Sequence, residues 1–186
     1  MPRKKQFTKN DVVRATMRIV KKKGMSAVSA RGIAKEMNAS VQPVYSYYDS
    51  ISDLKKDILQ NINEWIYDYQ GRGYSDNKLR NLGIGYVLFA QENKKLFRSI
   101  FMEPHGYGDI LKDYSKTLME SDLEEEKING LPDKIKDELF HNLWTFTHGM
   151  ASLISVQTIE DKSPKEISES LRDVGRAIIA AAEKKA

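Results

Sequence analysis

The chain has 186 residues, enough for one large domain or for a small domain joined to a larger one. Hydrophobic residues make up 40% and charged residues 30%, which supports a buried core and a soluble surface. There is no cysteine, which excludes disulfide bridges and thiolate chemistry, and no stretch approaches the length of a transmembrane helix. The basic first ten residues lack the apolar region of a signal peptide, so we expect a cytoplasmic protein without a membrane partner.

The charge is unevenly distributed along the chain. Residues 1–50 hold 11 lysine and arginine residues against three acidic ones, whereas residues 51–186 hold 19 against 23. A basic head on a mildly acidic body is typical of a protein whose head binds a polyanion, although an ordinary solvated basic surface also fits this pattern.

The apolar spacing predicts an all-α protein of about nine helices. Thr8 and Asp11 form an approximate capping box for a first helix over 9–23, with Val13, Met17 and Val20 on its inward face. The further helices are predicted over 30–37, in a short stretch capped by Ser40, and over 53–69, 79–92, 95–101, 110–122, 132–158 and a final segment beginning at Pro164. Ser52 is the expected cap of the fourth helix.

The second and third helices, joined by a turn at Asn38, form a helix-turn-helix. In the third helix Val44 and Tyr48 are four residues apart and face inward, and Pro43 fits the first turn because its missing N–H has no helical partner. Gln42, Tyr45 and Ser46 share a different, polar face. The helix N-termini capped by Ser29 and Ser40 favour phosphate oxygens, and Arg31 can reach a phosphate or a guanine edge.

Five motifs in fixed order resemble the DNA-binding domain of TetR-family transcriptional regulators. They are "KG" at 23–24, "SARGIA" at 29–34, "NAS" at 38–40, "VYSYY" at 44–48 and "ISDL" at 51–54. The resemblance implies a helix-turn-helix DNA-binding domain over 1–52 and a helical dimerisation and ligand-binding domain over 53–186. The expected DNA contacts, from the resemblance and the helix faces together, are Ser29, Arg31, Ser40, Val41, Gln42, Pro43, Tyr45, Ser46 and Tyr47.

Three positions depart from the family pattern. Asn38 replaces the turn glycine and still tolerates a left-handed conformation. Tyr47 replaces the family's histidine and keeps a hydrogen-bond donor for phosphate. Ile51 stands where a phosphate-binding lysine is frequent, and Lys55 is the candidate that would compensate for it.

By the same resemblance, the body carries an effector cavity and dimerises through its last two helices. The expected cavity residues, for which ordinary core packing is the alternative, are Trp65, Tyr69, Tyr86, Phe89, Phe101, Met102, Tyr114, Trp144 and His148. The final helix repeats apolar residues at spacings of 4, 3 and 4, and two glycines inside helices favour close approach of another helix. The expected dimer residues, for which packing within one chain is the alternative, are Gly149, Leu153, Ile167, Leu171, Val174, Gly175 and Ile178.

No catalytic motif, cofactor-binding loop or metal-ligand spacing is present, so an enzyme, a cofactor and a metal site are not expected. The resemblance implies a homodimeric regulator that binds a near-palindromic operator in double-stranded DNA, a repressor released by a small-molecule effector. The alternatives are a helical protein- or membrane-interaction module with a basic head, and a ligand-independent regulator or activator of the same fold.

Overall fold

The computed structural model describes residues 7–103, 128 and 130–186. Within these residues the chain is all-α, as predicted, and has eight α-helices. They are α1 (Lys9–Lys23), α2 (Ala30–Met37), α3 (Gln42–Tyr45), α4 (Ile51–Gln70), α5 (Lys78–Glu92), α6 (Lys94–Phe101), α7 (Asp133–Ser155) and α8 (Pro164–Glu183). The ninth predicted helix, over 110–122, lies outside the described residues.

The first helix begins and ends where its capping residues predict. The Thr8 side chain accepts a hydrogen bond from the Asp11 N–H at 3.2 Å, and the Asp11 carboxylate accepts one from the Thr8 N–H at 2.9 Å. Gly24 ends the helix at φ +84°, a conformation that glycine adopts without strain. Of the predicted inward residues, Val20 is buried, whereas Val13 and Met17 are partly buried and pack against the core. Val12, Ala15, Thr16 and Ile19 are also buried, so the buried face is centred on these residues rather than on Val13 and Met17.

The fourth helix starts two residues before its predicted start. Its cap is Ser50, whose side chain accepts a hydrogen bond from the Asp53 N–H at 3.1 Å, so Ser52 is not the cap. Ser50 is extended at φ −145°, the geometry an N-cap needs, whereas Ser52 already lies inside the helix. The eighth helix has the predicted capping box between Ser163 and Glu166, with Pro164 in its first turn.

The central element is α5, which packs against α4, α6, α7 and α8. Seven consecutive residues, Ile84 to Ala90, are buried, so this helix is enclosed on every side. The apolar pattern of α7 predicts a similar enclosure, but Trp144 and Phe146 are half-buried and Leu153 is exposed. The described residues therefore leave the outward face of α7 uncovered.

The head and the body share a continuous core. Buried residues of α1, α2 and α3 join those of α4, α5 and α6 in one cluster. At the junction a side chain on Gly24 would lie 2.9 Å from the Ser99 Cβ of α6. The head is thus packed against the body, and the predicted division between residues 52 and 53 falls within the first turn of α4. No helix in the described part of the chain is long and apolar enough to cross a membrane.

Candidate nucleic-acid interface

The turn between α2 and α3 is built as the sequence predicts. Ser29 caps α2 by accepting a hydrogen bond from the Gly32 N–H at 3.2 Å. Asn38 ends this helix in the left-handed conformation, at φ 51° and ψ 50°. The Ala39 N–H then donates to the Ala34 carbonyl at 2.9 Å, which satisfies an end of the helix that would otherwise lack a partner.

The predicted cap of α3 is wrong. Val41 occupies the N-cap position with helical backbone angles, and no side chain accepts a hydrogen bond there. Ser40 therefore precedes the cap, because the chain already turns into the helix at Val41. Pro43 lies in the first turn, as expected. Ser46 folds back on α3 and donates from its hydroxyl to the Gln42 carbonyl at 2.9 Å.

The short helix α3 and the turn that follows it separate their side chains into an inward and an outward set. Val44 is fully buried and Tyr48 is only 7% exposed, whereas Tyr45 is 55% and Tyr47 43% exposed. Of the expected DNA contacts only Pro43 is half-buried, and all the others are exposed. The outward set offers hydroxyl, amide and guanidinium groups, which are the groups that contact phosphates and base edges.

The hydroxyl of Tyr47 is engaged in the structure. It donates to the backbone carbonyl of Phe7 at 2.9 Å. Because a tyrosine hydroxyl has a single proton to donate, a hydrogen bond from Tyr47 to a phosphate requires this contact to open. The hydroxyl of Tyr45, in contrast, makes no hydrogen bond within the described residues, and the Tyr45 side chain is more exposed than that of Tyr47.

Tyr48 anchors α3 to the body through a polar contact that the sequence does not reveal. Its hydroxyl donates to Asp57 Oδ2 of α4 at 2.5 Å, and Lys9 Nζ of α1 lies 2.8 Å from the same oxygen. Burial, helped by this hydrogen bond, raises the pKa of Tyr48 well above its ordinary value. Burial also acts to raise the pKa of Asp57, but the hydrogen bonds from Lys9 and Tyr48 outweigh it and hold that pKa below its ordinary value.

Two further basic residues of the head contact other side chains of the protein. Arg18 Nε lies 2.6 Å from Glu36 Oε1, which ties α1 to α2. Lys21 Nζ lies 3.9 Å from the centre of the Trp65 ring. Ile51 packs against the core, which accounts for an apolar residue at that position, and the role suggested for Lys55 stays a prediction.

The body contains a cavity of about 370 Å³ between α5, α7 and α8. Of the eight described residues that were expected to line an effector cavity, Tyr86 and Trp144 are in its wall and the other six are not. Trp65, Tyr69 and Phe89 instead pack edge to face, with ring centres 5.3–6.3 Å apart.

The remaining expected cavity residues lie elsewhere. Phe101 packs on Phe97 at 4.6 Å, and Met102 is 47% exposed at the end of α6. Tyr114 lies outside the described residues. Packing decides these positions, because an aromatic stripe on a helix has the same spacing whether it faces a cavity or another side chain.

His148 joins the cavity wall to the aromatic core. Its ring stacks on Trp144 with centres 4.8 Å apart, and its Nδ1 lies 2.9 Å from the Tyr86 hydroxyl. Burial lowers the pKa of His148 and raises that of Tyr86. The described residues contain no cluster of histidine and acidic side chains that could hold a metal ion.

The residues expected at a dimer interface fall into two groups. Ile167 is fully buried, Gly175 is buried near the Leu143 side chain, and Leu171 packs on the core of its own chain. On the outward side, Leu153 is 44% exposed and a side chain on Gly149 would meet nothing within 4 Å. Val174 and Ile178 of α8 are half-buried.

Comparison with known proteins identifies the fold. No protein-family model and no curated protein sequence matches the chain. Among solved structures, a TetR-like transcriptional regulator from Rhodococcus sp. RHA1 aligns with a TM-score of 0.64 at 15% sequence identity. The alignment covers 92% of this chain and 94% of that chain. The chain therefore has the TetR-type fold, as its motifs predict.

Proposed function

We propose that the chain is a sequence-specific, DNA-binding transcriptional regulator rather than an enzyme. The observation that carries the proposal is the division of α3 and the turn that follows it, in which Tyr45 and Tyr47 are exposed while Val44 and Tyr48 are buried in the core. Exposed aromatic surface of this kind beside Gln42 favours a binding partner, and the basic head favours a polyanion. The TetR-type fold supports a DNA duplex as that partner.

In this proposal α3 enters the major groove and α2 approaches the backbone. Val41, Gln42, Pro43 and Ser46 face the bases. The N-terminal end of α2, with Ser29 and Arg31, binds phosphates or a guanine edge. Ser40, Tyr45 and Tyr47 bind the phosphate backbone on either side.

The proposed active form is a homodimer that reads a near-palindromic operator. The outward face of α7 and α8 supports this, because Gly149, Leu153 and Val156 leave apolar or open surface there, beside Val174. A two-fold dimer would place two copies of α3 in successive major grooves, about 34–36 Å apart. Ile167, Leu171 and Gly175 then support the interface from within each chain rather than contacting the partner.

We further propose a cytoplasmic repressor whose DNA affinity falls when a small molecule binds the body. The cavity between α5, α7 and α8 supports an effector site, and its wall contains Tyr86 and Trp144. A ligand acts if it binds more tightly to the form whose recognition helices are wrongly spaced for the operator.

Selection of bound sequences from a random duplex library tests the proposal, and a two-fold symmetric motif is the expected result. Arg31→Ala and Tyr45→Phe should weaken binding to the selected sequence, by about tenfold or more for Arg31→Ala if it reaches a base. Tyr67→Phe is the matched control, since Tyr67 is 40% exposed near the C-terminal end of α4 and is not among the expected DNA contacts. If the protein retards neither a random duplex nor its own upstream DNA in a gel mobility-shift assay at low salt, the proposal is overturned.

A further inference from the structure

The cavity between α5, α7 and α8 has a largely apolar wall. Side chains from all three helices contribute to it, and they are Leu82, Leu143, Trp144, Phe146, Leu171 and Ile179. Its volume of about 370 Å³ is at the lower end of the range for small-molecule sites, which is about 300–1,000 Å³. The cavity therefore suits a compact ligand with an apolar body.

The charged groups of the wall are mainly cationic. Three guanidinium groups, of Arg80, Arg172 and Arg176, line the cavity, together with one carboxylate, that of Glu183. Arg172 and Arg176 are four residues apart, so they lie one turn apart on the same face of α8. Arg80 belongs to the first turn of α5, so the arginines of the wall come from two helices.

These arginines have weak partners or none. Arg80 has Asp76 at 4.0 Å, with the Asp76 side chain 97% exposed, and Arg172 has its neighbour Asp173 at 3.1 Å, 67% exposed. Arg176 makes no ion pair within the described residues. Exposed ion pairs contribute little to stability, so these guanidinium groups can turn to a ligand at small cost.

The wall of the cavity also contains a hydrogen-bond acceptor without a partner in the described residues, the side-chain oxygen of Gln70. Gln70, the last residue of α4, donates from its amide to the Leu82 carbonyl at 3.1 Å. Its own Oε1 is buried and has no hydrogen-bond partner within the described residues. A buried acceptor without a partner is costly, and a hydroxyl or N–H of a ligand would satisfy it.

We propose that this cavity binds a small organic carboxylate with an apolar body, whose carboxylate is held by Arg176 of α8 together with Arg80 of α5. An arginine matches a carboxylate with two parallel hydrogen bonds, and the apolar wall encloses the rest of the ligand. The role of this carboxylate as an effector rests on the proposed function. The inference deepens that function by naming the chemical class of the effector.

Calorimetric titration of the full chain without DNA tests the inference. The probes are octanoate, 3-hydroxyoctanoate and 2-naphthoate, each compared with its neutral amide and, for the octyl chain, with octyl phosphate. At least one carboxylate should bind with a Kd below about 1 mM, and its amide should bind about tenfold more weakly or worse. Failure of all three carboxylates to bind would overturn the inference, as would equal affinity for the amides or a preference for octyl phosphate.

Variants locate the binding. Arg176→Gln and Arg80→Gln, on different helices, should each weaken carboxylate binding at least about fivefold while leaving the amides unchanged. Lys165→Gln, which removes the same charge from an exposed position in the first turn of α8, should change the affinity less than about twofold. Unaltered affinity in both arginine variants would place the ligand elsewhere and refute the site.

The role as an effector is measured separately. Addition of the bound carboxylate should weaken the complex with the selected duplex in the wild type but not in Arg176→Gln. Carboxylate binding without any effect on the duplex complex would support the site and refute effector control. Duplex binding without carboxylate binding would refute the site and leave the proposed DNA-binding function standing.

Discussion

The hydroxyl of Tyr48 donates a hydrogen bond of 2.5 Å to the carboxylate of Asp57, and so ties the turn after α3 to the long helix α4. Lys9 completes the contact from α1, at 2.8 Å from the same oxygen. Two helices and the turn after α3 therefore meet at one carboxylate. This contact helps to fix the position of α3 relative to α4.

Asp57→Asn should destabilise the protein by about 1–2 kcal/mol, because it replaces a charged acceptor by a neutral one. The pKa of Asp57 is lowered in the folded state, so its contribution is present above the unfolded-state pKa of about 3.9 and is lost as pH falls through the lower folded value. Urea unfolding between pH 7 and pH 3 measures this, and the variant should lose less stability in acid than the wild type. Tyr67→Phe is the control, and equal acid sensitivity of wild type and variant would contradict the assignment.

Gly24→Ala should be strongly destabilising for two separable reasons. Its backbone lies at φ 84° and ψ 173°, a region nearly confined to glycine, and an added Cβ would approach the Ser99 Cβ to 2.9 Å. Gly73→Ala is the matched control, since Gly73 also has a positive φ of 67° but has nothing within 4 Å of an added Cβ. Thermal or urea unfolding should show a loss of about 1–2 kcal/mol for Gly73→Ala and a clearly larger one for Gly24→Ala. Equal losses would mean that the contact between head and body does not contribute.

Leu153→Glu should convert the proposed homodimer to a monomer without unfolding it. Leu153 is 44% exposed on the outward face of α7, so a charge there is solvated in the monomer and buried in the dimer. Tyr67→Glu places the same charge at an exposed apolar residue of α4 and should leave the dimer intact. Sedimentation velocity at matched concentrations measures the oligomeric state of both variants. If the Leu153→Glu variant is still a dimer, this face is excluded from the interface.

The half-buried His148 should make the free energy of unfolding depend on pH near neutrality. Burial lowers the pKa of His148 in the folded state, so stability is lost as pH falls below the unfolded-state value of about 6.5. Between pH 7.5 and pH 5.5 the wild type should therefore lose more stability than His148→Asn. His141→Asn is the control because His141 is exposed, and it should behave as the wild type does.

Local sequence determines most of the helix boundaries and the interior of the head. Capping residues act within one turn of the chain, so Thr8, Ser29 and Ser163 could be recognised from their spacing alone. The inward positions of Val44 and Tyr48 follow from helical periodicity in the same way. Where two serines could each be the N-cap, as Ser50 and Ser52 could, the backbone conformation determines which one is. The spacing of residues in the sequence does not show that conformation.

Only the tertiary structure decides which side chains meet across helices. The hydrogen bond between Tyr48 and Asp57 joins the turn after α3 to α4, and Arg80 lines the same cavity as Arg172 and Arg176 only because α5 packs on α8. The periodic patterns state that a residue turns inward but not what it meets there, so Trp65 and Phe89 become packed core while Tyr86 and Trp144 reach the cavity. The sequence by itself thus determined the helices and the exposed face of α3, whereas the cavity and the contacts between helices arise from packing over long range.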